Sequence, residues 1–410
     1  MKKFPILARF ASVAIALTAL SLPAAAQDIT RRLADLGMEN IRCIHHGQSC
    51  TVAYEDNVYR GTYRGIGQAV QSALQGDEEA IELVVLRNSV PRLTVSLPAE
   101  LVAAYRRGEL TLKQVYAQMG ISVDTDRAMQ QLQEAERPQH SSAGKVDIVV
   151  YPSLFLENNT FDELYTYAVN LNPTLEMQLW RGARLSAQAI VPVSTNLSGE
   201  MGRIRPGVVT LAQEFRFRRN IFGRIAAGNF TNNRYGLLLD TRYRTADGRI
   251  ELGAQLGSTG FSATTREDGW YMGRRQRINA SLLAMYYLPE LNIQADLRVG
   301  RFVYGDCGVR GDLTRHFGEY AIGVYGIYTD GEVNAGFHLT TPLPGRKWRR
   351  KGWVRVKPAS YFQWQYGLVA HGEYFDKKMG RTYSTRPDDN RSADFYQPDY
   401  IRYFLIRDNK

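Results

Sequence analysis

From Lys145 to Leu343 the chain alternates apolar and polar residues with a period of two. That is the spacing of a β-strand, whose successive side chains point to opposite faces; amphipathic helices repeat near 3.6. Leu291, Ile293, Ala295, Leu297 and Val299 share one face, and Asn292, Gln294, Asp296 and Arg298 share the other. In Arg249–Gln255, Ile250, Leu252 and Ala254 oppose Arg249, Glu251 and Gln255. In Val209–Phe217, Leu211, Phe215 and Phe217 oppose Thr210, Glu214 and Arg216. In Leu237–Arg244, Leu239 and Tyr243 oppose Asp240, Arg242 and Arg244.

Runs of about ten residues are separated by short turns such as Arg219-Asn220, Asn232-Asn233 and Ala246-Asp247-Gly248. About twelve strands fit between Lys145 and Leu343, and Tyr361–Gly367 and Tyr400–Ile406 would bring the number to about fourteen. Tilted strands of about 9–11 residues cross an outer membrane. Aromatic residues sit near many strand ends, among them Trp180, Phe217, Tyr286, Phe317 and Tyr328, where interfacial girdles need them. The polar face carries neighbouring opposite charges: Glu214/Arg216, Asp240/Arg242, Asp296/Arg298 and Arg310/Asp312. Together with Arg249 and Glu251 these are the residues expected to line a wet lumen. The expected fold is mainly β: an antiparallel outer-membrane β-barrel preceded by a small α/β periplasmic region. A soluble β-sandwich also alternates and is the competing fold.

Residues 1–26 read as a signal peptide. Lys2 and Lys3 precede an apolar stretch, Phe10 to Leu22, and small residues stand before Gln27. Residues 27–140 read as the periplasmic α/β region, with helices near Asp28–Leu36, Gly65–Leu74, Pro98–Tyr105 and Leu110–Met119. Its strands are expected near Asn40–Ile44, Thr51–Tyr54, Ile81–Leu86 and Leu93–Leu97. The barrel occupies 145–343, and 344–410 forms a basic, aromatic C-terminal segment. Within that segment the run from Arg346 to Lys357 reads either as a solvated loop or as a contact for lipid phosphates or an anionic glycan.

The net charge is +10, and three of these charges lie in the leader. No Lys/Arg stripe is interleaved with aromatics, so nucleic acid is not an expected partner. Among the three cysteines, Cys43 and Cys50 flank a short turn and suit a disulfide in an exported hairpin; Cys307 is left over. His45 and His46 lie between them, but ligands crowded into one turn do not suit zinc, so no metal is expected. There is no Gly-x-Ser-x-Gly elbow, His-Glu-x-x-His helix or phosphate loop, and neither catalytic residues nor cofactors are assigned. Arg301 and Asp306 flank a tight turn and are expected to form a charge-assisted hydrogen bond, with Gly300, Gly305 and Gly308 permitting the close backbone.

Three stretches resemble the YjbH family of exopolysaccharide- and capsule-associated outer-membrane proteins. The first is Leu36-Gly37-Met38-Glu39-Asn40-Ile41-Arg42 with Tyr54 to Arg60 after it. The second is Asn233-Arg234-Tyr235-Gly236-Leu237 with Gly253 to Gly260. The third is Gly300-Arg301-Phe302-Val303-Tyr304-Gly305-Asp306-Cys307-Gly308-Val309, then Thr314 to Gly318 and Gly336 to Leu343. The resemblance implies production or export of an extracellular polysaccharide, and the leading expectation is a non-catalytic outer-membrane barrel in polysaccharide assembly or export, with membrane lipid, polysaccharide and other envelope export proteins as partners. It transfers no catalytic residues. The alternatives are an outer-membrane lipid- or glycan-modifying enzyme and a secreted β-rich glycan-binding protein.

Overall fold

A computed structural model describes residues 24–158, 165–265, 269–367, 374, 376–387 and 395–408. The expected leader lies outside these residues except for its last three, which open the first helix. Helical and strand periods separate along the chain where the sequence places them. An α/β unit comes first, with helices α1 (Ala24–Leu36), α2 (Arg64–Leu74), α3 (Ala99–Arg106), α4 (Leu112–Gln118) and α5 (Asp126–Gln131). Its strands are β1 (Glu39–His46), β2 (Ser49–Glu55), β3 (Ala80–Arg87), β4 (Val90–Leu97) and β5 (Gly120–Ser122), hydrogen-bonded in that order. Gly37, at φ +93°, ends α1 in the left-handed conformation that glycine adopts freely. Thr111 and Gln114 form a reciprocal capping box at the start of α4. Asn88 and Ser89 both take positive φ, the two-residue turn whose twist matches an antiparallel hairpin. Ile29, Leu33, Val52, Tyr54, Ile66, Val70, Leu83 and Leu93 form the core between sheet and helices.

The second sheet begins with β6 (Val146–Asn158), β7 (Tyr165–Gln178), β8 (Ala183–Thr195), β9 (Arg205–Phe217), β10 (Ile221–Phe230) and β11 (Arg234–Arg244). It continues through β12 (Ile250–Thr264), β13 (Trp270–Met272), β14 (Arg277–Leu288), β15 (Ile293–Arg301), β16 (Cys307–Phe317), β17 (Tyr320–Thr329) and β18 (Glu332–Pro342). Two shorter strands follow, β19 (Val354–Pro358) and β20 (Tyr361–Gly367). Fourteen strands lie along one path, and β13 pairs only with β12. Every pairing is antiparallel except β19 with β6. The two ends of the path are halves of one segment: Val354–Pro358 pairs with β6, and Tyr361–Gly367 pairs with β18.

The polarity of this sheet is inverted relative to a water-soluble fold. On β17, Tyr320, Ile322, Val324 and Tyr328 are exposed, while Ala321, Tyr325, Ile327 and Thr329 are buried. On β7, Val169, Leu171 and Leu175 are exposed, while Asn170, Asn172, Thr174, Glu176 and Gln178 are buried. All forty of the large exposed apolar side chains found among the described residues lie between Phe155 and Val356.

Turns at one end of this sheet seat the α/β unit. Gly182 donates its amide to Asn88, and Val123 donates to Ala246. The Arg219 amide donates to Asp126 Oδ2 at 2.9 Å. The β16–β17 turn supplies Glu319, buried between Arg60 (Nε–Oε1 2.6 Å) and Arg64 (Nη1–Oε1 2.7 Å). Burial pushes the Glu319 carboxyl up, but those guanidinium hydrogen bonds outweigh it and hold it below the usual range.

Three expectations are corrected. Tyr400–Ile406 is no strand but part of helix α6 (Pro398–Arg407). Pro398 opens it and Gln397 caps it, and its buried residues Tyr400, Ile401, Phe404 and Leu405 repeat at helical spacing. They pack into the core of the α/β unit. Cys43 and Cys50 are free thiols. The register sets Cys43 opposite Val52 and Cys50 opposite His45, so the two are diagonal rather than facing. Finally, Asp306 does not bond Arg301 among the described residues. Its Oδ2 accepts from Thr329 Oγ1 and from the Gly380 amide, both at 2.7 Å. Gly300 and Gly308 face each other across β15 and β16, and a Cβ on Gly300 would stand 2.1 Å from the Ala280 carbonyl.

Candidate functional site, a polar chamber with a threaded segment

The buried face of the large sheet carries charge in rows. Arg298 is directly opposite Arg310, and Asp296 is directly opposite Asp312. Like charges in register repel. Here each row lies beside one of opposite sign: Arg310 donates to both Asp312 oxygens at 2.8 and 2.9 Å. Gln294 Nε2 donates to both oxygens of Asp296 at 2.9 and 3.0 Å. Arg310 also lies 4.1 Å from the centre of the Tyr325 ring. On β11 and β12, Arg242 joins Asp240 (2.6 Å) to Glu251 (2.8 Å), and Arg244 Nε reaches Glu251 at 2.9 Å. Gln255 donates to Asp240 at 2.8 Å.

A cavity of about 620 Å³ opens between these rows. Of the ten polar residues expected on the inner face, Glu214, Asp240, Arg242, Glu251, Asp296, Arg298, Arg310 and Asp312 line it. Arg216 and Arg249 do not. Arg216 turns to the α/β unit, donating to the Val123 carbonyl at 2.7 Å and to Asn220 Oδ1 at 2.8 Å. Arg249, at the β11–β12 turn, donates to Asp399 at the start of α6 at 2.8 Å.

Residues 376–387 and 395–397 of the C-terminal segment lie against the inner face of the sheet, which no sequence signal announced. At the end far from the α/β unit, the Gly380 amide meets Asp306, and Arg381 accepts from the Val303 amide. Tyr383 stacks on Phe230 at 5.2 Å with the rings 7° apart. Thr385 accepts from Arg224 on β10. At the near end Phe395 stacks on His316 at 4.3 Å, and the Tyr287 ring meets it edge-on. Gln397 donates to Gly248, and α6 then enters the α/β core. The motif residues Asp306 and His316 thus hold this segment at both ends. Arg234, from the second stretch, is buried against Thr259 and faces the Tyr304 ring, as do Arg277 and Lys378.

The basic run divides by direction. Arg346, Lys347, Arg349 and Lys351 are exposed, with Trp353 beside them. Arg350 and Arg355 turn inward to Asp147 at 2.8 and 2.6 Å, and Lys357 lines a second cavity of about 450 Å³.

Two aspartates facing across strands raise the question of acid–base chemistry, but their oxygens are already engaged by Arg310 and Gln294. Among the described residues no group of three or more His, Cys, Asp and Glu side chains could hold a metal. No helix of the described chain is long and apolar enough to cross a membrane, which says nothing of crossing by strands.

The profile of the YjbH family, described as exopolysaccharide biosynthesis protein YbjH, matches residues 10–338. The match spans the α/β unit and the large sheet through most of β18, and ends before the threaded segment. No curated protein matches the chain. With four-fifths of its length under that profile, and the three motif stretches within or beside it, this chain belongs to the YjbH family of exopolysaccharide biosynthesis proteins.

Proposed function

We propose that the chain is a non-catalytic outer-membrane β-barrel protein that handles exopolysaccharide during its assembly or export. The inverted polarity of the large sheet carries this reading. Each large apolar side chain left in water forfeits up to about 1.5–3 kcal/mol of burial, so forty of them on the strands and turns of one sheet call for a non-aqueous neighbour. Their order along the strands fits lipid. Trp180, Phe217, Tyr243, Tyr286, Phe317 and Tyr320 gather at the end beside the α/β unit, and Phe155, Tyr165, Phe261, Trp270 and Tyr328 toward the other. Leu171, Leu211, Ile225, Leu239, Leu256, Leu297, Leu313 and Val324 lie between. From Tyr320 to Tyr328 a strand rises about 27 Å, or roughly 20 Å after a 40° tilt, near the height of an outer-membrane apolar band.

Closure is supported by the Val354–Gly367 segment, whose first half hydrogen-bonds to β6 and whose second half hydrogen-bonds to β18. The short turns and the α/β unit then face the periplasm. Inside, paired charges, amides and hydroxyls offer a hydrated glycan many weak partners. The threaded segment occupies part of that space, so passage of a chain requires it to move. Exopolysaccharide, membrane lipid and envelope export proteins are the partners. The non-catalytic reading is supported by the engagement of Asp240, Glu251, Asp296 and Asp312 in ion pairs and amide bonds, which favours their charged forms over the protonated form that a glycosidase acid needs.

The test is charge reversal in the chamber. Arg242→Glu with Arg298→Glu, in a protein that still reaches the outer membrane, is expected to cut surface exopolysaccharide several-fold. Unchanged surface glycan in that double variant would refute a glycan role for the chamber.

A further inference from the structure

The second cavity, of about 450 Å³, lies between the inner faces of β6 to β8, the β19–β20 segment and the Asp56–Thr62 loop of the α/β unit. Three groups that line it have hydrogen-bonding capacity to spare. Asn172 is 6% exposed; its Nδ2 donates to Ser153 at 3.1 Å, but its Oδ1 has no partner among the described residues. Tyr361 is 5% exposed, and its hydroxyl likewise has none. Buried polar groups are nearly always paired, so two orphans on one cavity wall point to a ligand that supplies the partners. The third is Lys357. Its Nζ stands 3.9 Å from Asp147 Oδ2, beyond hydrogen-bond range, and Asp147 is already met by Arg350 and Arg355. Lys357 is therefore the third cation around Asp147, and Glu176 and Asp56 are the other carboxylates within its electrostatic reach on the cavity wall.

Strand register brings these groups together. Val149 is paired with Lys357 on one side, and Tyr151, two residues on, is paired with Asn172 on the other. Tyr361 follows Lys357 by one turn of the same segment.

Building on the glycan reading above, we infer that this cavity is a binding site for a carboxylate-bearing sugar unit. Lys357 would meet the carboxylate, and Tyr361 and Asn172 would bond the ring hydroxyls as donor and acceptor. An ammonium suits a carboxylate, and an orphan amide oxygen with a phenol suits vicinal hydroxyls, which both donate and accept.

The test uses the full chain in detergent, titrated calorimetrically with digalacturonate and, as the uncharged counterpart, maltose. Digalacturonate is expected to bind saturably and at least tenfold tighter than maltose. Lys357→Met should remove that preference, and Lys357→Gln does the same work if the methionine variant fails to fold. Tyr361→Phe deletes only a hydroxyl without a partner among the described residues, so it should fold normally and bind several-fold more weakly. Equal binding of both disaccharides, no saturable binding, or wild-type affinity in both Tyr361→Phe and the lysine variant would overturn the site. A protein that fractionates with the outer membrane and supports surface glycan, yet binds neither disaccharide, overturns this site and leaves the preceding reading standing.

Discussion

Burial pushes the Asp56 carboxyl up to about 6, against the pull of hydrogen bonds from the Tyr59 and Val58 amides and of the Lys357 and Arg355 charges. Burial also raises Glu55, whose carboxylate accepts from the Asn88 and Ser89 amides and from Asn40. A raised carboxyl favours the folded state while protonated. That contribution is full below the unfolded value near 4 and is lost as pH rises through about 6. Asp56→Asn keeps an acceptor for both amides and removes the charge. It is expected to match the wild type at pH 4 and to be more stable at pH 8, by up to about 3 kcal/mol; thermal unfolding at the two pH values checks this. Glu319 runs the other way. Its depressed carboxyl stabilises the fold above the ordinary glutamate range, and that stability is lost as pH falls through its lower folded value. Glu319→Gln leaves Arg60 and Arg64 facing each other in a buried site. The expected cost is about 3–5 kcal/mol, seen as faster proteolysis at the junction of the α/β unit and the sheet.

At the scale of elements, helix α6 is the part whose loss is felt furthest away. Gly67 on α2 lets it approach: a Cβ there would stand 2.6 Å from Leu405 Cδ2. Gly67→Val is expected to destabilise by about 2–3 kcal/mol although valine is the better helix former, which chemical denaturation can read. Strands and their inner faces were legible because a period of two needs no partner to be seen. Glu251, Asp296 and Arg310 are placed correctly by alternation alone. Turn chemistry was legible too: Arg219-Asn220 and Asn232-Asn233 take the paired positive φ that their positions suggest. Tyr400–Ile406 was not, because over seven residues an aromatic-rich helix and a strand look alike; only packing against Tyr63 and Leu74's helix decides it. The partners of Asp306, Arg216 and Arg249 were hidden for a related reason. Each bonds a residue more than 70 positions away, and contacts of that range leave no local trace.

Taken whole, the molecule is a sheet of inverted polarity, a domain seated on its turns, and a terminal segment that ties the two together from within. The tie predicts cooperativity: truncation after Pro387 removes Phe395, Tyr400 and Leu405 from the α/β core and should loosen that unit as well as open the chamber. Hydrogen exchange in α2 and β2 would report it. The membrane reading is tested most directly by fractionating cells and running the detergent-extracted protein on a gel with and without boiling. An outer-membrane protein that changes mobility on boiling is the expected result. A protein recovered soluble without detergent, with one mobility in both lanes, would contradict a membrane-spanning barrel.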